Sequence, residues 1–236
     1  RMQEGVHRPK DRADTHNMRR VEQGQRRKST VFTSLADVRS VLGRVLLYAT
    51  VRQMQSSQPI PCLLYLQGKD EAKILENVHI VRCDSDGDQL WVGFSELVTS
   101  ANIVTRLPEI RDQLYEEIAQ CFDDARGRIL DIKNDDYILS HDIDVILDQS
   151  NPFEAHLDRF RFVLFIGYDS TLLTDPETMG HEDHLERETI ALFEAFVDDL
   201  KHDSTFGALT IDVFIYPAPS LEMLTQLVDK KVREAV

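Results

Sequence analysis

The sequence has little of what marks several common protein classes. Its 236 residues include three cysteines (Cys62, Cys83 and Cys121), one tryptophan and ten glycines. Three scattered cysteines in apolar contexts point to reduced, buried thiols rather than a disulfide framework. No apolar run approaches the ~20 residues of a membrane span. The first residues are polar and basic and hold no apolar stretch of the secretory kind, so the expected location is the cytoplasm, with no membrane contact. No glycine-rich phosphate loop or dinucleotide-binding glycine motif occurs. Gly167-Tyr168-Asp169-Ser170 lacks the Gly-x-Ser-x-Gly order of a nucleophile elbow. Positive charge is scarce as well: 27 Lys and Arg stand against 41 Asp and Glu, a formal net charge of −14. That balance argues against a broad, autonomous DNA-binding surface, because phosphate binding is driven by Lys and Arg.

The positive charge that is present collects at one end. Arg1, Arg8, Lys10, Arg12, Arg19, Arg20, Arg26, Arg27 and Lys28 face only Glu4, Asp11, Asp14 and Glu22. Hydrophobic periodicity is missing up to about Ser29, so residues 1–29 read as a basic, flexible arm that cannot bury a core. Arg19, Arg20, Arg26, Arg27 and Lys28 are the candidates for contact with nucleic acid, or with an acidic patch on a partner.

From residue 30 the pattern changes. Leu35, Val38, Leu42, Val45, Leu46 and Ala49 recur at helical spacing, with Ser34 or Thr33 as cap and Asp37 in the first turn. The prolines of "SSQPIP" stop this helix. Three strand candidates follow: "CLLYLQ", "NVHIVRC" and "QLWVGFSEL". In the second, Val78 and Ile80 share one face and His79 and Val81 the other. In the third, Leu90, Val92, Phe94 and Glu96 share a face. The turn "DSDGD" between them, with its Asp-Gly, predicts an antiparallel hairpin.

A second helix carries Leu107, Ile110, Leu114, Ile118 and Phe122. The mixed segment after it shows helical spacing in Ile138, Leu139, Ile143 and Ile146. "RFRFVLFIGYDS" reads as the most buried strand. A long acidic helix with Ile190, Phe193, Phe196, Val197 and Leu200 comes next, then the strand "LTIDVFIYPAPS", and a closing helix capped by Ser220. The order predicts one α/β domain over residues 30–236 with a mixed sheet. Its first part (about 30–126) carries the helix, three strands and helix of a restriction-endonuclease-like, PD-(D/E)XK-type core. Its second part (about 127–236) adds a strand–helix–strand–helix extension.

Two metal-like spacings are weak. Asp84-Ser85-Asp86-Gly87-Asp88 resembles the start of a calcium loop, but Ser95 stands at the twelfth position where glutamate is needed. His181 and His184 with Glu188 would need another His or Cys to hold zinc. The readings preferred are a hairpin turn and a solvated helix start, and neither a metal ligand set nor a cofactor is expected.

The stretches "RVLLYATVRQMQSSQPIPCLLYLQGKDEAKILENVHIV", "LWVGFSELVTS", "FVLFIGYDS" and "DVFIYPAPS" carry a resemblance. Together they look like the HamA C-terminal-like family, the nuclease-domain subunits of Hachiman anti-phage defence with the related AbpA proteins. The resemblance covers roughly Leu35 to Val232. It implies a bacterial defence protein that works beside a superfamily-two helicase and meets DNA. It also implies a second strand opening on a metal-binding Asp before Val-His-Ile, and a third strand reading Gly-Glu-Ser-Lys. Such a site would bind Mg²⁺ through its acids, with the lysine assisting the attacking water.

Carried over, the aspartate falls on Asn77, the glutamate on Phe94 and the lysine on Glu96. Asn77 has no charge, Phe94 cannot ligate a metal and Glu96 reverses the sign of lysine. The resemblance therefore leads to a nuclease-like subunit with its site lost, one that acts by binding. One alternative is an active Mg²⁺-dependent endodeoxyribonuclease using the acid-x-lysine spacing of Asp131 and Lys133. Another is an interaction module unrelated to nucleases.

Overall fold

Ser34 precedes the first apolar periodicity. Its side chain accepts a hydrogen bond from the Asp37 backbone N–H at 3.2 Å, and the Asp37 carboxylate accepts one from the Ser34 N–H at 2.9 Å. This reciprocal pair satisfies two of the donors that a helix start leaves free. The helix it opens, α1, spans Leu35–Met54. The computed structural model describes residues 34–60, 77–83, 87–99, 103–120, 143–148, 150–174, 181–201 and 206–235. After α1 these hold β1 (Ser57–Ile60), β2 (Asn77–Val81), β3 (Gln89–Val98), α2 (Leu107–Gln120) and the short α3 (Ile143–Leu147). There follow β4 (Phe160–Asp169), α4 (His181–Lys201), β5 (Thr210–Ala218) and α5 (Leu221–Ala235).

The strands form one five-stranded sheet in the order β1-β2-β3-β4-β5. The pairs β1–β2 and β2–β3 are antiparallel, and β3–β4 and β4–β5 are parallel. This is the mixed sheet of the predicted α/β class. The predicted hairpin is present, with Asn77 opposite Gly93 and Val81 opposite Gln89. Gly87, at φ 78°, supplies a left-handed position that its turn needs. Because β4 pairs with β3, the two parts read from the sequence share one sheet.

The first strand among the described residues precedes the one expected from the sequence. Ser57–Ile60 forms β1, inside the stretch read as a helix stop, while "CLLYLQ" lies outside the described residues. Gln55 does turn extended after the helix. Pro59 is tolerated in a strand because β1 is the edge of the sheet formed by the described residues, where one side needs no donor.

Alternation sends the sheet's side chains into two cores. Val78, Ile80, Leu90, Val92, Phe94, Phe162 and Leu164 meet α2, α3 and α4 residues on one face. Val81, Trp91, Leu97, Val163 and Phe165 meet α1 and α5 on the other. The strand faces are as predicted. Two helix stripes are not. In α1 the buried residues are Val38, Leu42, Gly43, Leu47 and Val51, and Leu35, Val45 and Ala49 are exposed. The helix crosses β3 at Gly43, where a Cβ would lie 2.9 Å from Ser95 Oγ, and this close approach sets the buried side. In α4, Leu192, Phe196 and Leu200 are buried, while Ile190 and Phe193 are 47% and 42% exposed. The α2 stripe holds at Leu107, Ile110, Leu114 and Ile118, and Ile143 and Ile146 are buried in α3. Phe122, Ile138 and Leu139 lie outside the described residues.

Candidate functional site

β2 begins at Asn77 opposite Gly93, so β3 continues past it, from Phe94 to Val98, without a described partner on that side. The step leaves a cleft of about 120 Å³ between α1 and α2. Ser40 and Arg44 of α1, Ser95 and Glu96 of β3, and Gln113 and Glu117 of α2 give it its polar lining.

Asn77 is buried, and its Nδ2 donates to the Arg44 carbonyl oxygen at 3.1 Å. Directly opposite residues of an antiparallel pair share a face. Asn77 therefore sits with Gly93 on the α1 side, where a Cβ on Gly93 would stand 2.9 Å from Asn77 Cβ and 2.7 Å from Leu47 Cδ2. Phe94 points to the other face. Its ring stacks on Phe162 with centroids 6.3 Å apart and is part of the core.

Glu96 lies two residues on, on the face of Phe94, and is half-buried. Burial pushes its carboxyl above the ordinary range, opposed by the charges of Arg106 and Arg39. At the carboxyl end of β3 a second cavity of about 370 Å³ is lined by Glu96, Thr99, Arg39 and Arg106. Arg39 Nη2 pairs with Glu222 Oε2 at 2.9 Å, and Arg106 pairs with Glu109.

The three carried-over positions thus divide. Phe94 and Glu96 share one face of β3, and Asn77 is on the opposite face of β2. An amide engaged with a backbone carbonyl, a phenyl ring and a single carboxylate do not fit a Mg²⁺ ion, which takes oxygen ligands in near-octahedral geometry. Among the described residues no group of three or more His, Cys, Asp or Glu is placed to hold a metal. Asp131, Lys133, Arg19, Arg20, Arg26, Arg27 and Lys28 lie outside the described residues, as do Asp84 and Asp86. Asp88 is buried and His184 is exposed.

Sequence reading missed a polar pair between β1 and β2. Ser57 Oγ and His79 Nδ1 are 3.2 Å apart, both buried, with the Tyr48 ring 5.4 Å from the imidazole. Arg52 Nη1 donates to the Ser57 carbonyl. His79 Nε2 is buried without a partner among the described residues. Burial, and secondarily the Arg52 charge, lower the His79 pKa to about 4, so the ring is neutral near pH 7. The sequence signal for His79 was only its place on the polar side of an alternating strand. Arg44, Gln113 and Glu117 of the cleft, and Arg39 and Arg106 of the second cavity, gave none, because elements far apart in the chain bring each set together.

The HamA family model matches residues 4–232. The chain is 66% identical over 229 residues to Anti-bacteriophage protein A of Escherichia coli (strain K12), covering 97% of this chain and 43% of that protein. It therefore spans less than half the length of the curated relative it matches. A family model that covers nearly the whole chain and a relative of this identity lead to one conclusion: the chain belongs to the HamA family.

Proposed function

We propose that this chain is an anti-phage defence component whose nuclease-like scaffold acts by binding, without cutting. Family membership and the name of the relative, an anti-bacteriophage protein, support the defence role. The succession of α1, three strands and α2 supports a restriction-endonuclease-like core. The observation that carries the loss of cutting is the placement of Phe94, a core ring stacked on Phe162 at the position where a metal-binding acid is implied. Glu96 adds a negative charge where a lysine would assist the attack. The partner in this reading is a superfamily-two helicase, with DNA as the shared substrate and the basic residues from Arg19 to Lys28 as contacts to either.

The test incubates the purified full chain with supercoiled plasmid and Mg²⁺ or Mn²⁺, alone and with the helicase. The expected result is intact plasmid in every arm, with the helicase co-eluting with the chain. Cutting that Lys133→Ala abolishes would overturn the reading in favour of an active nuclease built on Asp131 and Lys133. Intact plasmid with no helicase association would favour an unrelated interaction module.

A further inference from the structure

We propose that β5 pairs antiparallel with β5 of a second copy of this chain, which joins two sheets into one. The inference rests on the edge of the sheet and holds whether or not the chain cuts DNA. The two edges of the described sheet differ. β1 is four residues long and carries Pro59, which blunts it. β5 is nine residues long and keeps an unbroken register with β4. No described strand follows beyond it. The Ser170 N–H donates to the Ala218 carbonyl at 2.8 Å, so Ala218 turns its backbone groups toward β4. Along a parallel strand, successive residues turn these groups to opposite neighbours. Ile211, Val213 and Ile215 therefore turn N–H and C=O outward. Pro217, which has no N–H, stands at an outward position as well.

The side chains beside this edge are apolar and only partly covered. Ile211, Val213 and Ile215 on the α4 face, and Phe214 on the α5 face, are half-buried. Asp199 turns toward α2, where Arg111 holds it. Helical geometry puts Ile190 and Phe193, both exposed, on the opposite side of α4, beside β5. The edge is also complementary to itself. With a two-fold axis at Val213, that residue faces the partner's Val213, and Ile211 faces the partner's Ile215. These are hydrogen-bonded pairs, so each of the three outward N–H groups finds a carbonyl, and Pro217 falls beyond the last pair. Asp212, the one charged residue of β5, is held by Arg161 at 3.1 Å and would stand opposite the partner's Phe214. No like charges therefore meet along the strand. A nine-residue strand is about 30 Å long, and helix layers about 10 Å to either side make the face about 25 Å deep. That is close to the ~800 Å² per partner of a stable interface. Glu186 and Glu194, exposed on α4, border Phe193 and Ile190, so association should tighten as salt screens them.

Sedimentation of the full chain between about 1 and about 100 μM tests this. A dimer is expected, with a dissociation constant on the order of 1 μM, the weak end for an interface of this size. Hydrogen exchange at the Ile211, Val213 and Ile215 amides should slow as the dimer forms. Val213→Cys sets two thiols across the axis, where the Cα atoms of a hydrogen-bonded pair are about 5.5 Å apart. Mild oxidation should link two such chains, with the linked peptide identified by mass spectrometry. Thr210→Cys, exposed but off the axis, and the unchanged chain should not link in this way. Val213→Pro removes the N–H on the axis without removing a bond to β4, and should weaken association about tenfold or more. Phe193→Asp, at an exposed position, should do the same and covers a proline variant that fails to fold. Val45→Asp, exposed on α1, should leave association unchanged. A chain that stays monomeric at about 100 μM overturns the proposal. Slow exchange at the three amides of that monomer would assign the edge to another segment of the chain itself, and fast exchange would leave it open. A dimer that neither links through Val213→Cys nor responds to the two weakening variants uses another interface and overturns the proposal too.

Discussion

Ser57 Oγ and His79 Nδ1 lie 3.2 Å apart across the β1–β2 pair, both shut away from solvent. A neutral imidazole donates or accepts that bond, but its Nε2 is buried without a partner among the described residues. Protonation would place a charge there with no acceptor and with Arg52 nearby, so it is resisted.

This gives a pH dependence of known sign. The folded pKa of His79 is lowered to about 4 from the ordinary 6.5. Below pH 6.5 the unfolded chain binds the proton and the folded chain does not. Stability from this group is therefore complete above pH 6.5, falls as pH drops toward 4 and levels off below it. The loss is about 3 kcal/mol. Urea denaturation at pH 7.5, 6, 5 and 4 measures it, and His79→Leu should flatten the slope in that window.

Phe94 should behave as a core residue. Phe94→Ala removes a buried ring stacked on Phe162 and should cost about 3–5 kcal/mol. Phe94→Glu would restore the acid implied by the family pattern, but it would bury an unpaired charge and should cost at least as much. Thermal unfolding of the two variants checks this. A Phe94→Glu chain as stable as the parent would contradict the packing described here.

Gly93 is a contact as much as a residue type. A methyl group there would press on Asn77 Cβ and Leu47 Cδ2. Asn77 Cβ is fixed to the backbone of β2 and gives little, so Gly93→Ala should destabilise by about 1–3 kcal/mol. Asn77→Gly with Gly93→Ala should recover part of that, and a double-mutant cycle in urea reads the coupling.

The start of α5 is held by β4. The Leu221 N–H donates to Asp169 Oδ1 at 2.5 Å, and the Met223 N–H to Ser220 Oγ at 3.2 Å. Asp169→Ala should cost about 1 kcal/mol, the worth of a helix cap, and Ser220→Ala a similar amount. Amide hydrogen exchange should show faster opening confined to the first turn of α5.

The sequence by itself determined the class, the hairpin, the strand faces and a helix start at Thr33 or Ser34, of which the structure selects Ser34. Each is set by residues within a few positions of one another: alternation on β2 and β3, an Asp-Gly turn, a Ser three residues before Asp37. It also carried the family pattern, together with the change of residue at Asn77, Phe94 and Glu96. Only the tertiary structure decided which side of α1 and α4 is buried. Helical spacing allowed two neighbouring stripes on α1, and the close approach of Gly43 to Ser95 selected one of them. Pro59 entered a strand because β1 lies at the edge of the described sheet, a fact of strand order that no local pattern contains. The separation of Asn77 from Phe94 and Glu96, and the meeting of Glu96 with Arg39 and Arg106, follow from the pairing register and from elements far apart in the chain. Charge at that distance in sequence becomes an interaction only when the fold closes the space between.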